Sequence, residues 1–223
     1  MTELAARKGT TAFRLGHDAA KRALDITVSL VLMTILAPLL VLLLLLVRST
    51  SAGPALFRQE RLGRHRRTFT MLKLRTMYVN KDDRIHRDYV TRLLRPGQEA
   101  VASPDSGLYK LDADPRVTPL GAWLRRTSLD ELPQLVNVLR GEMSLVGPRP
   151  VLPWEAEMFA EPYQRRFAVK PGITGLWQVS GRSRLTMRKA LELDVEYVLC
   201  RSFTYDLLIL IRTVPAVFRG GAR

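Results

Sequence analysis

Two adjacent carboxylates, Asp130 and Glu131, lie in the run SLDELPQLVNVLRGEMSLVGPRP, Ser128 to Pro150. Arg125 and Arg126 precede them, and Gly147-Pro148-Arg149-Pro150 follows. Proline on both sides of Arg149 restricts the backbone and suits a guanidinium held in a fixed place. Its planar fork of donors matches phosphate oxygens. Carboxylates beside phosphate-binding groups repel the substrate unless a divalent cation lies between them. Mg²⁺ bound by one or two carboxylates plus substrate phosphates meets that need. A carboxylate left over can attack phosphorus and form an acyl phosphate. The chemistry these residues could do is therefore phosphoryl transfer.

A blander reading accounts for the same tetrapeptide. Ser128-Leu129-Asp130-Glu131 matches a capping box, in which Ser128 bonds the Glu131 amide and Glu131 reaches back to the Ser128 amide. Acids in a first helical turn stabilise the helix dipole and need no other job. Leu132, Leu135, Val136 and Leu139 then form a buried face, with Asp130, Gln134 and Asn137 on the opposite, polar one. In that reading Glu131 cannot serve the Ser128 amide and a metal with one oxygen.

The elements around the pair must hold it against something anionic. The 223 residues carry a net charge of +14, which implies a polyanionic neighbour such as nucleic acid, an anionic membrane or phosphorylated substrates. A single cysteine, Cys200, rules out an intrachain disulfide and a cysteine-rich zinc site. Residues 1–22 form a basic arm. Ile26 to Val47 then runs 22 residues without a charge, about 33 Å as a helix against a hydrocarbon core of about 30 Å. Two placements satisfy this segment. One is a spanning helix. The other is a re-entrant helix broken at Pro38, because basic residues flank both ends and mark both as cytoplasmic. The backbone groups freed at such a break need partners, and the Thr34 hydroxyl is one at hand.

Alternation over Thr68 to Arg75 predicts a strand with Lys73 and Arg75 on one face. Residues 81–115 read as an insertion over the site, with a short surface helix from Asp82 to Leu94. Lys170 to Arg182, rich in glycine, reads as a turn-rich loop passing close to a ligand. It is not a P-loop, since G-x-x-x-x-G-K-[ST] is absent. Leu185 to Leu199 predicts an amphipathic helix. Asp206 to Phe218 is too short to span a bilayer and suits either an interfacial helix or a core-packed one. The fold class expected is α+β and helix-rich. It comprises the arm at 1–22, a re-entrant membrane helix at 23–50, and a cytoplasmic, membrane-associated catalytic domain at 51–223 with interfacial amphipathic helices.

Several motifs occur in a fixed order: Lys21-Arg22-x-x-Asp25, the Pro-broken segment, Lys73-Leu74-Arg75-Thr76-Met77, Asp114-Pro115-Arg116-Val117-Thr118, Leu124 to Gln134, Gly147-Pro148-Arg149-Pro150 and Lys170 to Gly175. As an ordered set they resemble the bacterial sugar transferases, or monotopic phosphoglycosyl transferases, from about residue 20 onward.

The resemblance implies transfer of a hexose-1-phosphate from a UDP-sugar to undecaprenyl phosphate at the bacterial inner membrane, on its cytoplasmic side. UMP would be released, and a lipid-linked glycan for capsule, exopolysaccharide or O-antigen would be started. It implies Asp130 as the nucleophile of a two-step, ping-pong reaction, Glu131 as the Mg²⁺ ligand, and Pro148 with Arg149 on the substrate phosphates. Lys73, Arg75, Arg125, Asp194 and Asp206 match further positions of the pattern and are the remaining expected substrate-binding residues. The family's anchor breaks at a Ser-Pro pair, where this chain has Ala37-Pro38. The several spanning helices that precede the catalytic domain in larger members are not expected here.

A rival of another class is a non-catalytic, membrane-tethered binder of anionic lipid or nucleic acid. It gains nothing from the paired carboxylates, and no nucleic-acid-binding module is visible, so no nucleic-acid partner is expected. A second rival is a phosphotransferase using another diphosphate donor, such as an activated lipid.

Overall fold

A computed structural model describes residues 2–79, 84–94, 114–181 and 185–219. A single long helix, α1 (Thr2–Thr50), runs through Pro38. The expected boundary near residue 22 is therefore not a break in structure. The helix continues across it because Lys21, Arg22 and Asp25 dock on the catalytic domain. Lys21 donates to Asp206 and to the Val146 carbonyl. Arg22 closes the last turn of a later helix through the carbonyls of Val138 and Leu139. Asp25 is buried and accepts from Ser144 and the Leu145 amide.

From residue 30 to 46 the helix exposes Leu30, Val31, Leu32, Ile35, Val41, Leu42, Leu45 and Leu46. It is, among the described residues, the one helix long and apolar enough to cross a membrane. Thr34 bonds back to the Leu30 carbonyl, so its hydroxyl does not serve a group freed by Pro38. Near the C-terminal end, Leu43 and Val47 are buried with Leu74 and Leu124. Each such side chain contributes about 2 kcal/mol of burial.

The chain then forms a hairpin, β1 (Leu56–Leu62) against β2 (Thr68–Leu74), with Phe57 opposite Lys73 and Arg61 opposite Phe69. Opposed residues share a face, so Arg61 and Lys73 project to the same side. The strand expected over Thr68 to Arg75 is present but stops at Leu74. Arg75 turns away from Lys73 and runs under α1. Helix α2 (Arg84–Leu94) is less superficial than expected, burying Val90 and Leu93. The rest of the expected insertion, residues 95–113, lies outside the described residues, as do Asp82 and Arg182.

Helix α3 (Pro119–Thr127) starts from Thr118, whose hydroxyl accepts from the Gly121 amide, with Pro119 at the first position. A 3₁₀ turn, Leu129–Glu131, links it to α4 (Gln134–Arg140). Two short strands, β3 (Ser144–Val146) and β4 (Gly172–Thr174), pair in parallel. Between them lie α5 (Pro153–Glu157) and a 3₁₀ stretch over Glu161–Ala168. Helices α6 (Leu176–Ser180), α7 (Met187–Cys200) and α8 (Phe203–Arg219) complete the fold. The main core joins Val138, Met143, Leu145, Val151, Met187, Leu191, Tyr197 and Ile209. The α+β, helix-rich class holds. Helix α8 buries Asp206 and Ile209 and exposes Leu207, Leu208, Ile211 and Val214, so it serves the core along one stripe and leaves an apolar stripe outward.

Candidate active site

The carboxylate pair is presented by a turn rather than a helix cap. Ser128 ends α3 in the left-handed region (φ 59°, ψ 15°), and its amide bonds back to the carbonyls of Arg125 and Leu124. Its side chain caps nothing. The expected capping box is therefore absent, because Ser128 already serves the end of the preceding helix. That removes the competition for Glu131. The expected polar face is also reversed: Asp130, Gln134 and Asn137 are all buried. Asn137 accepts from the Leu72 amide and donates to the Thr70 carbonyl, tying α4 to β2. This tie fixes Lys73 relative to the turn that carries Glu131.

The outcome is a compact charge cluster. Lys73 Nζ lies 3.2 Å from Glu131 Oε1, and Arg149 approaches the same oxygen at 3.4 Å. All three side chains are less than one-fifth exposed. Burial lowers the Lys73 pKa, which Glu131 opposes, Arg149 reinforces, Asp130 opposes and Arg61 reinforces. Burial likewise lowers the Arg125 pKa, against the attraction of Asp130. Asp130 thus acts on both Lys73 and Arg125. Arg125 is oriented by the Thr76 hydroxyl at 2.9 Å.

Arg149 is held from behind. Arg166 donates to the Arg149 carbonyl at 2.6 Å and pairs with Asp194 at 2.7 Å, its guanidinium 5.2 Å from the Phe159 ring centre. Burial raises the Asp194 pKa to about 6, with Arg166 and Arg149 pulling it back. The Gly147 to Pro150 turn also packs tightly on β4. A Cβ on Gly172 would overlap the Gly147 backbone.

Of the expected residues, the structure brings together Asp130, Glu131, Lys73, Arg125 and Arg149, with Pro148 in the turn that carries Arg149. It does not bring Arg75, Asp194 or Asp206 to them. Arg75 is buried against the end of α1, donating to Val47, Ser51 and Pro54 carbonyls. Asp206 is buried against Lys21 and Tyr197. Two contributors were missed, Arg61 and Arg166. In the sequence Arg61 is one of the basic residues that follow the apolar run, yet its opposition to Phe69 in the hairpin sets it on the Lys73 face. Nothing in the sequence singles out Arg166.

Among the described residues no cluster of three His, Cys, Asp or Glu side chains could cage a metal. Two adjacent hard carboxylates nonetheless fit Mg²⁺, which keeps waters and takes its other ligands from substrate phosphates.

A family model described as bacterial sugar transferase matches residues 16–220. The chain belongs to this family. It is 44% identical over 203 residues to the UDP-galactose-lipid carrier transferase of Erwinia amylovora, covering 91% of this chain and 41% of that protein. With the UDP-glucose:undecaprenyl-phosphate glucose-1-phosphate transferase of Caulobacter vibrioides it shares 40% over 222 residues, 96% of this chain and 75% of the relative. With the exopolysaccharide production protein ExoY of Sinorhizobium fredii it shares 37% over 222 residues, 96% of each. The chain thus spans about two-fifths of the Erwinia protein and nearly the whole of ExoY.

Proposed function

We propose that this sugar transferase moves a hexose-1-phosphate from a UDP-sugar to undecaprenyl phosphate, releasing UMP and starting a lipid-linked exopolysaccharide, capsule or O-antigen. The observation that carries the proposal is the Asp130-Glu131 turn ringed by Lys73, Arg125 and Arg149, in a chain 40% identical to a protein named for that reaction.

In the first step an Asp130 carboxylate oxygen attacks the sugar-bearing phosphorus of the UDP-sugar. The new O–P bond forms as the bond to UMP breaks, leaving a phosphosugar on Asp130. In the second, an oxygen of undecaprenyl phosphate attacks the same phosphorus and Asp130 leaves as carboxylate. Arg149 and Lys73 bear on the phosphate oxygens where charge gathers, and Arg125 steadies Asp130. Glu131, beside Asp130, would hold Mg²⁺, which when bound neutralises charge on the diphosphate and the leaving UMP.

The catalytic domain lies on the cytoplasmic face of the inner membrane, and α1 enters and leaves by that face. Support comes from its two ends. Asp25 docks on β3 and Val47 packs beside β2 and α3, about 33 Å of straight helix apart, yet both touch one domain. In a Cys200→Ser background, cysteines at 15 and 60 are expected to label from the cytoplasmic side only. Labelling from opposite sides would restore a spanning helix.

The assay that tests the function is UMP release on mixing the chain with Mg²⁺, undecaprenyl phosphate and a panel of UDP-glucose, UDP-galactose and N-acetylated donors. Release that depends on both substrates is expected. No release with any UDP-sugar, alongside specific retention of anionic lipid, would favour the non-catalytic binder.

A further inference from the structure

Helix α4 has Glu131 before its start and Arg22 capping its end, so the two ends face different surroundings about 15 Å apart. At the far end a cleft of about 130 Å³ opens between α1, the segment before β4 and the α7–α8 corner. Lys21, Arg22, Arg64, Lys170 and Arg201 line it, against Asp18 and Asp25.

Most of these charges are already engaged. Lys21 is taken by Asp206, Arg22 by the α4 carbonyls and Asp25 by β3. Arg64 spends one nitrogen on the Ala168 carbonyl. Lys170 and Arg201 have no hydrogen bond or ion pair among the described residues. A Cβ built on Gly141 would lie 3.4 Å from Lys170 Nζ and 3.6 Å from the Arg22 guanidinium, so the two cations converge there. Burial first, then Arg22, lowers the Lys170 pKa; Asp25 and Asp18 oppose this and Arg64 adds to it. Lys170 is half-buried against Arg22 and Arg64, while Asp25 is engaged by β3 and Asp18 by His17, so the recess is short of negative charge and an anion would supply it.

The cleft's position narrows the choice of anion. The apolar run of α1 begins at Ile26, next to Asp25, and Leu30 and Val31 are exposed just beyond. On the other wall, Leu199 precedes Arg201, and the outward stripe of α8 starts at Leu207. Apolar surface thus lies on both sides of a cationic recess, an order that matches acyl chains beside a phosphate headgroup. We propose that this cleft binds the phosphate of an anionic phospholipid, separately from the catalytic turn. The proposal rests on the membrane placement given above. Free phosphate shares the chemistry but has no use for the apolar flanks.

The test uses the full chain in neutral detergent micelles, with lipid retention read by native mass spectrometry. The probes are dioleoylphosphatidylglycerol, dioleoylphosphatidylcholine and, separately, inorganic phosphate. Wild type is expected to retain phosphatidylglycerol in preference to phosphatidylcholine. Lys170→Gln and Arg201→Gln should each cut that preference roughly fivefold, at an unchanged circular dichroism spectrum. Arg201 sits at a helix junction with no hydrogen bond or ion pair among the described residues, so its variant keeps the test open if Lys170→Gln fails to fold. Unchanged preference in Arg201→Gln overturns the proposal, as does inorganic phosphate alone displacing the bound lipid at millimolar concentration. UMP release is measured on the same samples. Absence of UMP release from wild-type protein that retains phosphatidylglycerol preferentially, with the preference lowered in the variants, counts against the catalytic reading and leaves the cleft standing.

Discussion

Lys73 Nζ and Glu131 Oε1 lie 3.2 Å apart, joining the end of a hairpin to the turn that carries Asp130. Arg149 shares the same oxygen, so Glu131 is the meeting point of two cations from distant parts of the chain. Lys73→Met is expected to lower kcat/KM by about tenfold to a hundredfold, the size of a charge-assisted hydrogen bond. The melting midpoint should hardly move. Steady-state kinetics with thermal denaturation checks both, and full activity would remove Lys73 from the site.

Arg75 and Arg149 should separate cleanly. Arg75→Lys gives up donors that satisfy buried carbonyls at the end of α1, each worth about 1–3 kcal/mol when left unpaired. A lower melting midpoint with unchanged KM for the UDP-sugar is expected. Arg149→Lys should do the reverse, weakening turnover at nearly constant stability. A raised KM in Arg75→Lys at wild-type stability would return Arg75 to the substrate.

Asp194 makes stability depend on pH. Its folded-state pKa is raised from 3.8 to about 6, so between those values the folded protein keeps a proton that the unfolded chain releases. Its contribution therefore falls as pH rises from about 4 to about 6 and is level above that, with an amplitude of about 3 kcal/mol. Asp194→Asn should remove that slope. Melting midpoints from pH 4 to 7 decide this, and parallel curves for the two proteins would count against it.

Gly121 lies where α3 passes the end of the hairpin, and a Cβ there would overlap the Thr76 carbonyl. The obstacle is backbone, so it cannot rotate away. Gly121→Ala is expected to cost about 3 kcal/mol or more and to displace Arg125, which Thr76 orients. Limited proteolysis alongside activity would show it. Wild-type behaviour would mean that α3 can shift freely.

The site's ingredients were legible in the sequence because they are local: two acids in a row, and an arginine between prolines. Their mounting was not. Ser-x-x-Glu reads as a helix start, but whether Ser128 begins one helix or ends another depends on the Thr118-Pro119 start ten residues earlier. Helical spacing puts polar Asn137 on an outer face because it says nothing about which strand lies alongside. Alternation sets Lys73 and Arg75 on one face, but the strand ends between them. The hidden Asp194–Arg166 pair required the tertiary structure, since 28 positions separate its members and no sequence spacing joins them. By contrast, the apolar run, the hairpin strand and the helical tail follow from periodicity alone, and all three are present.

The central claim is that Asp130 carries the sugar phosphate. The most direct measurement is intact-protein mass spectrometry of the chain mixed with Mg²⁺ and a turned-over UDP-sugar, without undecaprenyl phosphate. An added hexose phosphate is expected that maps to Asp130, disappears on adding undecaprenyl phosphate, and never forms in Asp130→Asn, which still associates with membranes. An adduct or sustained turnover in Asp130→Asn would contradict it.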